Sequence, residues 1–243
     1  MSANTIIKLQ DVIKVFDQQE IISHCNMNVP QGAIYGFLGP NGAGKTTVLK
    51  IIMGLLLPTS GRITVLDNSV PSNRNKILGK IGSVIETPVF YDHLSAEENL
   101  RLHLEYMQEQ VMSDKIESVL CKVGLNDVGR QPVSKFSLGM KQRLGIARAI
   151  IHSPEVLLLD EPINGLDPKG VRQMRELFCS LVRERHMTII ISSHILSEIE
   201  NMADVIGLIV NGKILKETSM EEICKDFPNG LEEYFFEMME GSK

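Results

Sequence analysis

Gly39-Pro40-Asn41-Gly42-Ala43-Gly44-Lys45-Thr46 is the stretch from which the rest of the chain can be read. Two glycines separated by four residues, then lysine and a hydroxyl residue, match the spacing of a phosphate cradle. The glycines let backbone N–H groups turn inward around phosphate oxygens, and a helix starting at Lys45 adds its positive N-terminal dipole. The Lys45 ammonium can reach the β- and γ-phosphates, the Thr46 hydroxyl can ligate Mg2+, and the Thr47 hydroxyl is placed to donate to the α-phosphate. At average residue usage the pattern arises by chance in about one chain in a hundred of this length, so an unoccupied glycine turn is the poorer reading.

The context outward from this loop fits. Ala33–Leu38 reads as a short apolar strand feeding the loop, and a helix is expected from Lys45 to about Leu56, stopping before Pro58. Upstream, Thr5–Phe16 and Ile21–Val29 read as strands, with a turn at Pro30 and Gly32. From Ser95 to about Ile151 the pattern is helical. Ser95 and Glu98 form a capping box, Leu100, Leu104 and Met107 recur at helical spacing, and a second helix fits Met112–Val123, ending near Gly124. Strands return at Glu155–Leu159, Thr188–Ser192 and Asp204–Val210. Alternating strands and helices predict an α/β fold with a largely parallel sheet, interrupted by a helical insertion. One domain is expected over residues 1–243, with its core at about 1–87 and 155–243 and the insertion at about 88–154. Near the end, Leu231, Tyr234, Phe235, Met238 and Met239 lie on one face of a helix expected to pack on the core, with no added regulatory domain beyond it.

Composition removes several alternatives. A net charge of -5 argues against a nucleic-acid partner, which a basic stripe would serve. The longest apolar run, Ile51–Leu57, is far below the roughly twenty residues that a spanning helix needs. The first residues, MSANTIIKLQD, lack the basic flank and apolar stretch of a secretory signal. Cys25, Cys121, Cys179 and Cys224 are too far apart for a zinc or redox motif and are expected as buried or partly buried free thiols in a reducing cytoplasm.

A second site lies downstream. Val156-Leu157-Leu158-Leu159-Asp160-Glu161 is an apolar strand ending in two acids. Buried strands do not end in charge without a reason. Asp160 can hold Mg2+ through water, and Glu161 can polarise an attacking water.

The residues between and after these two motifs narrow the choice. Ser134-Lys135-Phe136-Ser137-Leu138-Gly139-Met140-Lys141-Gln142-Arg143 resembles the signature of ABC ATPases, Asn164-Gly165-Leu166-Asp167 resembles their D-loop, and Ser192-Ser193-His194 their H-loop. Phe16 sits where that family places an adenine-stacking aromatic. The resemblance spans nearly the whole chain. It implies a P-loop NTPase fold with a RecA-like core, an antiparallel β subdomain and an inserted helical subdomain. It also implies an ATPase that uses ATP and Mg2+ and powers a separate multi-spanning permease from the cytoplasmic face of the membrane. Ser137 and Gly139, at a helix start, would serve the γ-phosphate held by a second copy or a related subunit in a head-to-tail dimer, with Asp167 contacting the partner. His194 would touch the γ-phosphate and hold the water and Glu161. A rival within the family is a single-cassette ATPase acting in assembly. A P-loop kinase or GTPase is disfavoured by the lack of an N-K-x-D motif and by the signature-like stretch, which such enzymes do not have. His24, His93, His103, His152 and His186 are read as structural.

Two departures from the family pattern stand out. Leu138 and Met140 replace the usual glycine and glutamine of the signature. In the loop Ile85-Glu86-Thr87-Pro88, Glu86 stands where the family has its Q-loop glutamine. A carboxylate there offers Mg2+ and the water a charged oxygen but repels the γ-phosphate. This acidic loop, with Phe90-Tyr91 after it, resembles the subgroup that exports lantibiotics and bacitracin-like peptides. Pro88–Leu94 would then face the membrane partner.

Overall fold

The computed structural model describes residues 4–240. Expectations that fall on residues 1–3 and 241–243 lie outside that range. The chain opens with an antiparallel pair, β1 (Thr5–Phe16) and β2 (Gln19–Pro30). Asp17 and Gln18 join them at positive φ, as a tight hairpin of this twist requires. Strand β3 (Ile34–Leu38) is buried throughout and delivers the glycine loop to α1 (Lys45–Ile52). The helix ends earlier than the pattern suggests because Gly54 turns left-handed at φ 68°. Gly54 N–H then donates to the Ile51 carbonyl and Leu55 N–H to that of Lys50, a closing pair that satisfies carbonyls the helix end would orphan.

Next come β4 (Ser60–Val65) and β5 (Asn68–Val70), which complete an antiparallel sheet in the order β2-β1-β4-β5. After α2 (Arg74–Leu78) and β6 (Ile81–Val84), the chain runs through α3 (Ala96–Tyr106), α4 (Ser113–Lys122) and α5 (Leu138–Ile150). Ser95 caps α3 with both hydrogen bonds of the capping box. The remaining elements are β7 (Val156–Asp160), α6 (Pro168–Arg185), β8 (Thr188–Ser193), α7 (Leu196–Glu200), β9 (Val205–Val210), β10 (Lys213–Ser219), α8 (Met220–Asp226) and α9 (Leu231–Glu240). Among the described residues, no helix is long and apolar enough to cross a membrane.

The second sheet has the order β10-β9-β3-β8-β7-β6, parallel except for its β10 edge. Its central strands are covered on both faces, so they read as unbroken apolar runs. Alternate residues still divide by face. Ile34, Leu157, Leu159, Ile189 and Ile191 join the core under the helices. Tyr35, Phe37, Val156, Leu158 and Ile190 join the core shared with α1 and the antiparallel sheet. Glu217 of β10 clasps the two sheets, accepting from Tyr35 Oη (2.8 Å) and from Asn28 N (2.8 Å) and Nδ2 (3.1 Å). Leu231 and Tyr234 of α9 are buried in the helical-side core, as the face pattern predicts. The thiol expectation needs correction: Cys25 is buried and Cys179 intermediate, but Cys121 and Cys224 are exposed, because they lie on the outer faces of α4 and α8.

Candidate functional site

The carboxyl ends of β3, β7 and β8 meet beside the start of α1. Gly44, at φ 104°, forms the helix N-cap, and a Cβ there would come within 2.6 Å of Ile22 Cδ1, so β2 leans against the loop. Gly39 backs onto β9, where a Cβ would stand 2.2 Å from the Ile209 carbonyl oxygen. Ala43 is buried, and its carbonyl accepts from Gly212 N–H. Asn41, Gly42, Gly44, Lys45, Thr46 and Thr47 line a cavity of about 260 Å3 that Asp160 and Glu161 close from the β7 side. Ile21 of β2 lines it too. Nothing in the local pattern around Ile21 marks it; only the packing of β2 on the loop brings it there.

Within this cavity the charges are internally satisfied. The Lys45 ammonium donates to the carbonyls of Gly39 (2.7 Å) and Pro40 (3.2 Å). Burial lowers its pKa, while Glu161 and Asp160 pull it back up. Thr46 Oγ1 donates to Asp160 Oδ2 at 2.6 Å, and Ser192 Oγ donates to Asp160 Oδ1 at 2.5 Å. Glu161 turns the chain out of β7 at φ 50°, unusual for a residue with a side chain and typical of functional bends. Its N–H is held by the carbonyl (3.2 Å) and hydroxyl (3.1 Å) of Ser192. His194 Nδ1 lies 2.9 Å from Glu161 Oε2, and Asn164 Nδ2 donates to the same oxygen at 3.3 Å. Both contacts fall on Oε2. A hydroxyl and a carboxylate at the mouth of a phosphate loop are the hard oxygen donors that suit Mg2+.

Two expected members stand elsewhere. Phe16, at the end of β1, does not line the cavity; it is 39% exposed, with Lys14 Nζ 4.6 Å from its ring centroid. Glu86 is also outside the lining, its Oε1 2.5 Å from Lys50 Nζ.

Ser137, Gly139 and Asp167 gather around a second cavity of about 570 Å3, with Gly165 and Arg143. Ser137 caps α5, accepting from Met140 N–H at 3.2 Å, and Asp167 caps α6, accepting from Gly170 N–H at 3.0 Å. Of the two signature departures, Leu138 is exposed beside Gly165 and Met140 packs against the helical-side core. Arg143 was not singled out by its sequence context. Its guanidinium donates to the Val123 carbonyl (3.1 Å) and Gln173 Oε1 (2.9 Å) and lies 3.6 Å from Asp167 Oδ1. The two cavities share no lining residue.

A mainly parallel sheet whose strand empties into a glycine-rich loop and helix start, with an acid-tipped strand alongside, defines a P-loop nucleoside triphosphatase. The family model described as "ABC transporter" matches residues 22–164. The chain is 50% identical over 222 residues to the bacitracin transport ATP-binding protein BcrA of Bacillus licheniformis, covering 91% of this chain and 72% of that one. It is 46% identical over 230 residues to the lantibiotic transport ATP-binding protein SrtF of Streptococcus pyogenes, covering 95% and 96%. A dimeric ATP-binding cassette solved in a post-hydrolysis state with ADP and Pi superposes with a TM-score of 0.81 at 25% identity, over 88% of this chain and 98% of the other. The chain belongs to the ABC transporter family, as an ATP-binding and ATP-hydrolysing subunit. That favours the transporter reading over a role in assembly.

Proposed function

We propose that Glu161 is the general base of ATP hydrolysis and that two chains, or this one and a related subunit, close head to tail on two ATP molecules. The carrying observation is the pair of contacts on Glu161 Oε2 from His194 and Asn164, which fixes the carboxylate and leaves Oε1 free to take a proton from water. Lys45 and the loop N–H groups bind the phosphates, Lys45 leaving the Gly39 and Pro40 carbonyls to do so. Thr46 and Asp160 would hold Mg2+, which when bound offsets charge on the β- and γ-phosphates. The start of α5 at Ser137 and Gly139 serves the γ-phosphate of the other protomer. That the P-loop cavity and the Ser137 cavity share no lining residue within one chain supports the reading that a second copy completes each site. Phe16, exposed with Lys14 over its ring, stacks on adenine when nucleotide is bound.

Closure moves the helical insertion, residues 88–154, relative to the core. The membrane subunit docks on an apolar groove of about 420 Å3 formed by Val89, Phe90, Tyr91, Tyr106 and Arg148, where Val89 and Tyr106 are 80% and 71% exposed. The chain itself lies at the cytoplasmic face of the membrane. The cargo is a bacitracin- or lantibiotic-like peptide, moved outward, a reading supported by the relatives named for transport of those peptides.

Glu161→Gln tests the mechanism. It is expected to keep ATP affinity, lose hydrolysis by about 100-fold or more, and accumulate as a dimer on gel filtration with MgATP. Hydrolysis at the parent rate removes Glu161 as the base.

A further inference from the structure

Asn211 and Gly212 join β9 to β10 as a two-residue turn, with Val210 paired to Lys213 across the ladder and φ of 48° and 75° in the turn. That is the geometry an Asn-Gly hairpin adopts. Such a turn leaves the N–H and C=O of its glycine outside the ladder, where water ordinarily takes them. Here Gly212 is buried, and protein takes both groups. Its N–H donates to the Ala43 carbonyl of the phosphate loop at 3.0 Å, and its carbonyl accepts from the Ser23 N–H of β2 at 3.0 Å. A Cβ on Gly212 would stand 2.2 Å from the Ile21 carbonyl oxygen and 2.8 Å from Ile22 Cα, so the turn is wedged between β2 and the loop. The end of β9 also backs Gly39 through Ile209, so one hairpin braces the loop at both ends.

We propose that Gly212 is a positioning residue for nucleotide binding: by holding the Ala43 carbonyl it aims the Gly44 N–H at the phosphates. This deepens the ATP-site reading above and rests on it. In a planar trans peptide the C=O and the N–H point in opposite directions. Fastening the Ala43 carbonyl to the hairpin therefore turns the Gly44 N–H the other way. Gly44 lines the P-loop cavity and Ala43 does not, which puts the donor on the phosphate side. An outside anchor is needed because glycine offers little steric resistance to a flip of its own peptide. In the flipped state a carbonyl oxygen would face the phosphates, and the cradle would lose a donor. Helix α1 cannot prevent the flip, since the N–H groups at a helix start have no intrahelical acceptor. The Gly212 N–H, in a turn gripped from behind by Ser23, selects one orientation before nucleotide arrives.

The bond between Ala43 and Gly44 is the one Ala-Gly bond in the sequence. Isotope labelling of alanine carbonyls and glycine nitrogens together in the full chain therefore gives a single peak in a carbonyl-to-amide NMR correlation. That peak reports on this peptide from both sides. It is followed in the parent, Gly212→Ala, Asn211→Val and Asn211→Gly as a non-hydrolysable ATP analogue with Mg2+ is added. Gly212→Ala forces the turn off Ile21. Asn211→Val opposes the positive φ more mildly and serves if Gly212→Ala does not fold. Asn211→Gly keeps the turn and is the control. In the parent and in Asn211→Gly the Gly44 amide should shift downfield with the analogue, at the same affinity. In the two displaced-turn variants the Ala43 carbonyl should be shifted upfield already in the free chain. Their affinity for the analogue should fall about tenfold, the worth of one hydrogen bond to a charged group. A displaced turn that leaves the Ala43 carbonyl resonance in place overturns the proposal, as does a shifted carbonyl with parent affinity. Analogue binding is read independently from the rise in Tm. A parent chain that gains Tm while its Gly44 amide does not respond overturns the proposal and leaves the ATP-site reading standing. A parent chain that gains no Tm sinks the ATP-site reading, and the role of Gly212 with it.

Discussion

Ser192→Ala removes the hydroxyl that joins the two acids at the head of the sheet. Ser192 is fully buried on β8; its Oγ donates to Asp160 Oδ1 at 2.5 Å and accepts the Glu161 N–H at 3.1 Å. The Glu161 N–H keeps its second acceptor, the Ser192 carbonyl at 3.2 Å, so alanine orphans no backbone donor. Asp160 keeps Thr46 on Oδ2 but loses its donor on Oδ1. Losing one hydrogen bond to a charged group costs about 1.5–3 kcal/mol, and the missing oxygen leaves almost no cavity. Taking about 2 kcal/mol, Tm should fall by about 4–8 °C for a domain of this size. If the bond also aligns Asp160 and Glu161 for reaction, kcat should fall by up to about 30-fold. Steady-state phosphate release and differential scanning fluorimetry on the full chain read both. Ser193→Ala is the control: Ser193 is equally buried, but its Oγ accepts from Ile195 N–H at 3.0 Å and touches neither acid. A Ser192→Ala protein with parent kcat, or a Ser193→Ala protein with the same loss of kcat, refutes the reasoning.

Two further outcomes follow from particular contacts. Burial, with His152 and Arg148 as neighbours, lowers the His103 pKa to about 4 from 6.5. The unfolded chain therefore takes a proton near pH 6.5 that the native chain refuses until about 4. Stability present above pH 6.5 is lost as the pH falls through that window. For a ring still partly open to solvent the loss is about 1 kcal/mol, or about 2–4 °C of Tm, and His103→Leu should reduce the slope of the Tm–pH curve between pH 4.5 and 6.5, leaving the part due to His152, whose pKa burial also lowers. In Ser95→Ala the α3 cap loses the Glu98 N–H contact at 3.2 Å and the bond to Glu98 Oε2 at 2.7 Å. The expected cost is about 1 kcal/mol, or about 2–4 °C of Tm, with kcat unchanged per folded chain.

What could be read from sequence was what local chemistry dictates. The phosphate loop is legible because its glycines answer a backbone requirement that few other residues meet. The buried strands β3, β7 and β8 are legible because burial on both faces demands an unbroken apolar run, and the α3 cap because Ser95 and Glu98 bond within one turn. Strands β4, β5, β6 and β10 carry no such mark in the sequence. β6 is four residues long and contains Gly82 and Ser83, β4 opens with exposed Ser60, Gly61 and Arg62, and β10 is a sheet edge with mostly exposed or half-exposed residues. Such segments become strands through the neighbour they pair with, which periodicity does not record.

The same distinction governs the site. Thr46, Asp160, Glu161 and His194 were found because each belongs to a motif with its own spacing, and they meet in space. Ile21 and Arg143 carry no mark in the sequence because their places in the cavities come only from partners distant in the chain: the loop for one, Val123, Asp167 and Gln173 for the other. Glu86 shows the limit most clearly. Its position in a motif fixed where a carboxylate departs from the family's glutamine, but not what that carboxylate touches. Lys50 is ordinary by sequence, a basic residue in the last turn of a helix, where the dipole favours it. Only when the loop after β6 folds against the end of α1 does that lysine become the counter-ion of the acid, 36 residues away. A substitution inside a motif should therefore be judged with the charge that packs against it. In this chain an acidic loop and a basic helix end form one unit, and exchanging Glu86 for glutamine without considering Lys50 changes both.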